Sequence, residues 1–278
     1  MALRILLFAL LVAVVLLLFY FRLTRYARWK RRVLAEPFPE QWREILQKRV
    51  SFYRKLSDEE KARFEKRVQL FLARTNVIGL KMEINDTVRV LVAASAIIPV
   101  FGFDEWEYDN LAEVLVVPGS IQPENEGEDY GVGTVLGQAR QFQNQYYVKI
   151  SKPVLEAGFK SDDQKNVGIH EFAHLIDQAD GDVDGVPESL LPPELLRSWS
   201  KLMHKAMAEI KRNRSDIDAY GATSEQEFFA VVTEYFFEKP QQLAEHHPEL
   251  YQLLTKVFHQ NPKQRFSRKV GGMLGHRR

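Results

Sequence analysis

The sequence predicts an α+β domain, with helices packed on a small mixed β-sheet, preceded by one transmembrane helix. Three observations carry this reading: a charge-free apolar run near the N-terminus, helix-period apolar patterns early and late in the 278 residues, and strand-like segments between them.

From Ile5 to Phe21 no residue is charged, and at a helical rise of about 1.5 Å per residue this run just spans a hydrocarbon core. A cleaved signal peptide fits less well. The run is long, shows no small-residue cleavage site, and leads straight into Arg22, Arg25, Arg28, Lys30, Arg31 and Arg32. Set against the lone Arg4, that cluster predicts a short external N-terminus and a main domain on the cytoplasmic side of the inner membrane. Anionic lipid would attract each of these cations by about 1 kcal/mol. Lys263, Arg265, Arg268, Lys269, Arg277 and Arg278 follow with no acid after Glu249, which suggests a second basic, lipid-facing segment. The expected organisation is an anchor over 1–22, a basic juxtamembrane linker over 23–38, a folded domain over 39–260 and a basic tail over 261–278.

Hydrophobic residues make up 45% of the chain, and 38 basic residues face 37 acidic ones, which disfavours both disorder and a purely electrostatic nucleic-acid binder. No nucleic-acid partner is expected. With no cysteine, any bound metal must be held by imidazole or oxygen ligands.

Beyond the anchor, Pro39 to Leu56 and Ser57 to Arg74 read as two amphipathic helices, the second opened by a Ser57/Glu60 capping box. A third helix starts near Asp86 and is expected to break at Pro99. Glu113 to Val117, Gly133 to Phe142 and Tyr146 to Ile150 read as strands, the last two joined around Asn144, and Gln122 to Gly131 reads as a loop. From Ser161 the pattern is helical again, through Ala179, then Pro192 to Arg212, Ser224 to Phe237 and Gln241 to His259.

The first of these late helices carries His170-Glu171-Phe172-Ala173-His174. Two histidines four residues apart lie about 40° from each other around a helix, so both imidazoles reach one cation. Phe172, Leu175, Ile176 and Ala179 form an apolar stripe whose burial would leave His170, His174 and Asp177 facing a cleft. Glu171 stands beside the histidines, where it can take a proton from a zinc-activated water attacking a peptide carbonyl and pass it to the departing amine. Asp177, one turn after His174, is a candidate acceptor for a ligating imidazole's N–H.

A catalytic zinc needs a third protein ligand and an open position. Glu227, on the polar side of Phe228, Phe229, Val231 and Val232, is the best candidate, and Glu234 shares that side. Ser224 and Glu227 equally fit a capping box, in which the carboxylate only bonds the cap amide. Asp180, Asp182, Asp184 and Gly185 fit the opening of a calcium loop, but Leu191 stands where the bidentate glutamate belongs, so no calcium is assigned.

HEFAHLIDQAD over 170–180 and YGATSEQE over 220–227 resemble the Mlc titration factor A family of zinc peptidases and, more distantly, the anthrax lethal factor catalytic domain. The resemblance runs from about Phe38 onward. It implies a gluzincin-like fold with the sheet against the motif helix, Zn2+ held by His170, His174 and Glu227, and Tyr220 directed at the oxyanion of the tetrahedral intermediate. It further implies a peptide or protein substrate, or alternatively the sequestering of a transcriptional regulator. The chain departs from the family in its anchor and at Gly137-Gln138-Ala139-Arg140, where a Gly-Glu-Ala-Trp strand is expected.

Overall fold

In the computed structural model a single helix, α1 (Ala2–Ala35), carries both the apolar run and the basic stretch without a break. The structure describes residues 2–119, 137–142, 145–160 and 165–265. The polar loop over 122–131, strand residues 133–136, the joint at Asn144, the helix start at Ser161 and most of the basic tail lie outside these. Large apolar side chains of α1 between Ile5 and Phe21 are exposed, and the helix is long and apolar enough to cross a membrane. Residues 23–35, the basic juxtamembrane stretch, continue the same helix. The end of α1 is docked on the domain: Gln69 Nε2 donates to the carbonyls of Val33 and Glu36 at 3.0 Å each, and Lys30 Nζ meets Glu105 Oε1 at 3.1 Å.

The next helices are α2 (Glu40–Arg49), α3 (Ser51–Arg54) and α4 (Asp58–Arg74). The helix expected over Pro39 to Leu56 is split at Val50, whose backbone is extended and whose side chain is fully buried. At α4 the capping box is complete: Ser57 Oγ accepts from the Glu60 amide, and Glu60 Oε2 accepts from the Ser57 amide.

Strand β1 (Asn76–Gly79) precedes α5 (Asp86–Val100), which runs one residue past Pro99 rather than stopping before it. So near a helix end, the missing proline N–H removes only one bond. Strands β2 (Leu111–Val117), β3 (Gly137–Phe142) and β4 (Gln145–Ser151) complete a sheet of order β1-β2-β4-β3, with β1, β2 and β4 parallel and β3 antiparallel on β4. The sheet is mixed, as expected. Val77, Val114, Val116, Val148 and Ile150 are buried, and register pairs Val77 with Val114 and Val114 with Val148.

Short helix α6 (Lys152–Gly158) leads to α7 (Val167–Asp177), which carries the histidine motif and continues into a 3-10 turn over Gln178–Asp180. Then follow α8 (Pro193–Lys211), a 3-10 turn over Ala219–Ala222, α9 (Glu225–Glu238), α10 (Pro240–His246) and α11 (Pro248–Val257). The single last helix expected from Gln241 to His259 is two, because His247, preceding Pro248, leaves the helical region at φ −132°.

Helix α7 is buried from Gly168 through Asp177, between α5, α9 and the sheet. Gly168 permits this crossing: a Cβ there would lie 2.0 Å from Ser95 Oγ on α5. Phe172 packs edge-on against Tyr108 and Phe71, with ring centroids 5.2 and 5.8 Å apart. The motif helix therefore lies inside the domain, with its histidine edge turned to α9.

Candidate metal centre

Asn166 caps α7, its Oδ1 accepting from the Ile169 amide at 3.2 Å, and the next turn delivers His170 and His174. Their rings stand nearly perpendicular, 4.8 Å apart. From α9, Glu227 Oε2 comes within 3.1 Å of His170 Nε2 and 3.6 Å of His174 Nε2. One ligand atom from each of His170, His174 and Glu227 falls within 4.8 Å of the other two. Two imidazoles and one carboxylate, without thiolate, match the donor set of a catalytic zinc site with a position left over.

The capping alternative for Glu227 is half right. Ser224 Oγ accepts from the Glu227 amide at 3.2 Å, but among the described residues the Glu227 carboxylate does not return a bond to the Ser224 amide. It is turned to the histidines instead, unlike Glu60 of α4.

Glu234, two turns along α9, takes the role that the spacing suggested for Asp177. Its Oε1 lies 2.7 Å from His170 Nδ1, and its Oε2 accepts from the Asn166 amide at 2.6 Å. Asn166 Nδ2 also donates to Glu238 Oε1 at 2.9 Å. The imidazole edge away from Glu227 is thereby fixed, as carboxylates behind ligating histidines commonly do. Glu234→Gln should weaken affinity for a metal ion at this site about 10–100-fold, measured by chelator competition, with little loss of fold.

Burial opposes charge on His170, yet its bonds to Glu227 and Glu234 raise its pKa well above the ordinary value. Burial lowers that of His174. Glu227 is held well below the usual carboxylate range, against burial, by the two histidines. A cation placed among these three side chains would compete with protons for the same lone pairs.

Glu171 is buried, at 4% exposure, and lies near enough to His170 to favour its charged form. Tyr220, on the 3-10 turn before α9, is 47% exposed with its ring 6.1 Å from that of His170. Asp218 fixes this turn: its Oδ1 accepts from the Tyr220 amide at 2.9 Å while its Oδ2 meets Lys165 Nζ at 3.1 Å.

Asp177 does not face the cleft. It is fully buried, and its Oδ2 accepts from the Gly185 amide at 3.1 Å. The Asp180–Gly185 stretch is thus a strap: Trp199 Nε1 donates to the Gly185 carbonyl at 2.7 Å. Gly185, at φ +71°, sits so close to α9 that a Cβ would lie 2.2 Å from the Glu225 carbonyl oxygen. Burial pushes the Asp177 carboxyl up to about 7; the Gly185 amide holds it back, and Asp184 and Asp180 add to the rise. Because this lies above the ordinary 3.8, the folded chain holds a proton there that the unfolded chain has released. The group's contribution to stability therefore falls as pH rises from about 4 to about 7. Asp177→Asn should flatten that part of the stability profile, read as thermal unfolding across the same pH range.

The sequence profile described as glucose-regulated metallo-peptidase M90 matches residues 24–259. The chain belongs to the M90 metallo-peptidase family. An uncharacterised protein of Synechocystis is 31% identical over 84% of this chain and 90% of its own length. Mlc titration factor A of Escherichia fergusonii is 29% identical over 84% of this M90 member and 91% of itself. The same-named protein of Escherichia coli O1:K1 is 29% identical, covering 85% and 92%. A solved chain from Bacteroides caccae, a candidate zinc-binding metallo-peptidase, matches at TM-score 0.30 and 14% identity over 78% of this chain and 84% of its own, a likeness too weak to argue from. The histidine motif and Glu227 both lie within the span that the M90 profile matches.

Proposed function

We propose that this protein is a zinc-dependent peptidase of gluzincin-like design, anchored by α1 with its domain on the cytoplasmic side. The observation that carries the proposal is the convergence of His170, His174 and Glu227 from two helices, with Glu171 on the same α7. The M90 membership supports the metallo-peptidase class.

Bound zinc would supply a Lewis acid that polarises the scissile carbonyl and acidifies water. His170, His174 and Glu227 would hold it. Glu171 accepts the proton of the attacking water and returns it to the amine that departs. Tyr220, half exposed at the rim, donates its O–H to the developing oxyanion, an interaction strongest in the transition state. Glu234, itself held by the Asn166 amide, holds His170 by Nδ1, so that its Nε2 edge would be the one offered to a cation. Strand β3 is at the sheet edge, and among the described residues no strand pairs on its outer side; an extended peptide fits there as an added strand.

The full chain in a phosphate-free detergent should contain zinc and cleave members of a peptide library. Chelation should abolish cleavage and zinc should restore it. Cleavage that survives complete removal of metal would end the proposal.

The name of the Mlc titration factor A relatives favours a second reading, the binding and sequestering of a transcriptional regulator. Sequestration should survive Glu171→Gln in a pull-down with a regulator, whereas control by proteolysis should not.

A further inference from the structure

Beneath the end of α1 lies a cavity of about 80 Å³, lined among others by Trp29 and Lys30 of α1, Arg67 of α4, and Asp104, Trp106 and Glu107 of the loop before β2. That is room for several waters or one small oxyanion. Two of its lining residues carry buried N–H groups with no acceptor among the described residues, Arg67 Nη2 and Trp106 Nε1. Orphaned buried donors are rare, and a pair on one cavity calls for an explanation.

Arg67 Nη1 is accounted for, donating to the carbonyls of Val100 and Phe103 at 2.8 and 2.9 Å, where it caps the end of α5. Its charge is not. The carboxylates around the cavity already face other cations: Glu105 meets Lys30 at 3.1 Å, Glu107 pairs with Arg74, and Asp104 lies 3.9 Å from Arg63. Among the described residues no carboxylate forms an ion pair with Arg67. Burial is the main cause that lowers its pKa to about 10, with Arg63 adding to the fall and Tyr108 and Asp104 opposing it. Water in the cavity would satisfy hydrogen bonds but not charge.

We infer that this cavity binds a phosphate-class oxyanion through Arg67 and the indole N–H of Trp106. A phosphate group offers several acceptor oxygens and the missing negative charge, and guanidinium suits it. Two sources share that chemistry, a phospholipid headgroup and free phosphate. Place favours the lipid. Trp29 follows the end of the apolar run by eight residues, roughly 12 Å along an upright helix. This sets the cavity at the aqueous edge of the headgroup layer, which a tilted helix brings inside. The argument depends on neither zinc nor peptide cleavage, though the lipid source rests on α1 as a membrane span.

The test uses the full chain in a maltoside detergent, titrated calorimetrically with inorganic phosphate and with short-chain phosphatidylglycerol, a matching diacylglycerol serving as the phosphate-free control. Saturable binding is expected for phosphatidylglycerol and none for diacylglycerol. Arg67→Gln should weaken it by about tenfold or more, the loss of a charge-assisted hydrogen bond. Trp106→Phe keeps the ring and removes only the N–H, so it should weaken binding several-fold with peptide cleavage unchanged; it also decides the matter if Arg67→Gln fails to fold. Binding of lipid alone identifies the headgroup as the source, and binding of inorganic phosphate alone a free anion. Binding of neither probe, or binding equal in wild type and both variants, means that water fills the cavity and overturns the inference.

Discussion

Glu171→Gln should lower peptide cleavage by about 10²–10⁴-fold, the usual contribution of a positioned general base, with zinc content unchanged. The amide keeps the size of the carboxylate but cannot accept a proton, and none of the three proposed ligands is altered. The side chain is buried on α7 between core contacts, so a near-isosteric change leaves the packing alone and the loss falls on kcat. Total zinc and kcat/KM on one peptide, measured together, check the expectation. A variant that cleaves at the wild-type rate would remove Glu171 from the chemistry.

Glu227→Ala should do something different, emptying the site of metal. It removes one of three ligands and the partner of both imidazoles. The fall in zinc affinity should exceed the 10–100-fold typical of residues that merely orient a ligand. The cap of α9 uses only the Glu227 backbone amide, so alanine leaves it in place. The thermal midpoint without zinc should therefore fall only by what the contact of Glu227 with the two imidazoles contributes, while zinc binding collapses. A variant that keeps zinc at near-wild-type affinity would return Glu227 to the role of a capping residue and leave the proposed site without its third ligand.

Much of this site could be read from the chain. Histidines at i and i+4 meet on any helix, so His170 and His174 needed no tertiary information. Glu227 was harder, because Ser-x-x-Glu satisfies a local rule and a distant one equally. Only the position of α9 beside α7 separates them. Asp177 departs from the sequence expectation for the opposite reason. Its spacing on α7 points it toward a ligating histidine in an isolated helix, but α7 is enclosed on all sides, and the Gly185 amide claims the carboxylate. Glu234 could be found from the seven-residue step after Glu227, which puts both on one face of α9, but not its bond to His170 Nδ1. The aspartates of the 180–185 stretch resemble a cation loop in sequence, yet they bond backbone amides two residues on, Asp180 to Asp182 and Asp184 to Val186. Strand β1 and helix α6, of four and seven residues, were too short to show a period. At Val50 the backbone is extended and the side chain buried, a break that no local propensity encodes.

The unbroken course of α1 changes what kind of tether it would be. From Phe21 to Ala35 it stands clear of the apolar run by roughly 20 Å of stiff helix, and Gln69 and Glu105 grip its far end. A flexible stretch of the same length would let the domain roam within a sphere, but with α1 as the proposed membrane anchor a rod clasped at its foot would hold the cleft at one height and one bearing over the bilayer. Substrates would then be sorted by reach: a scissile bond has to arrive at that height, so a short stub projecting from the lipid stays uncut whatever its sequence.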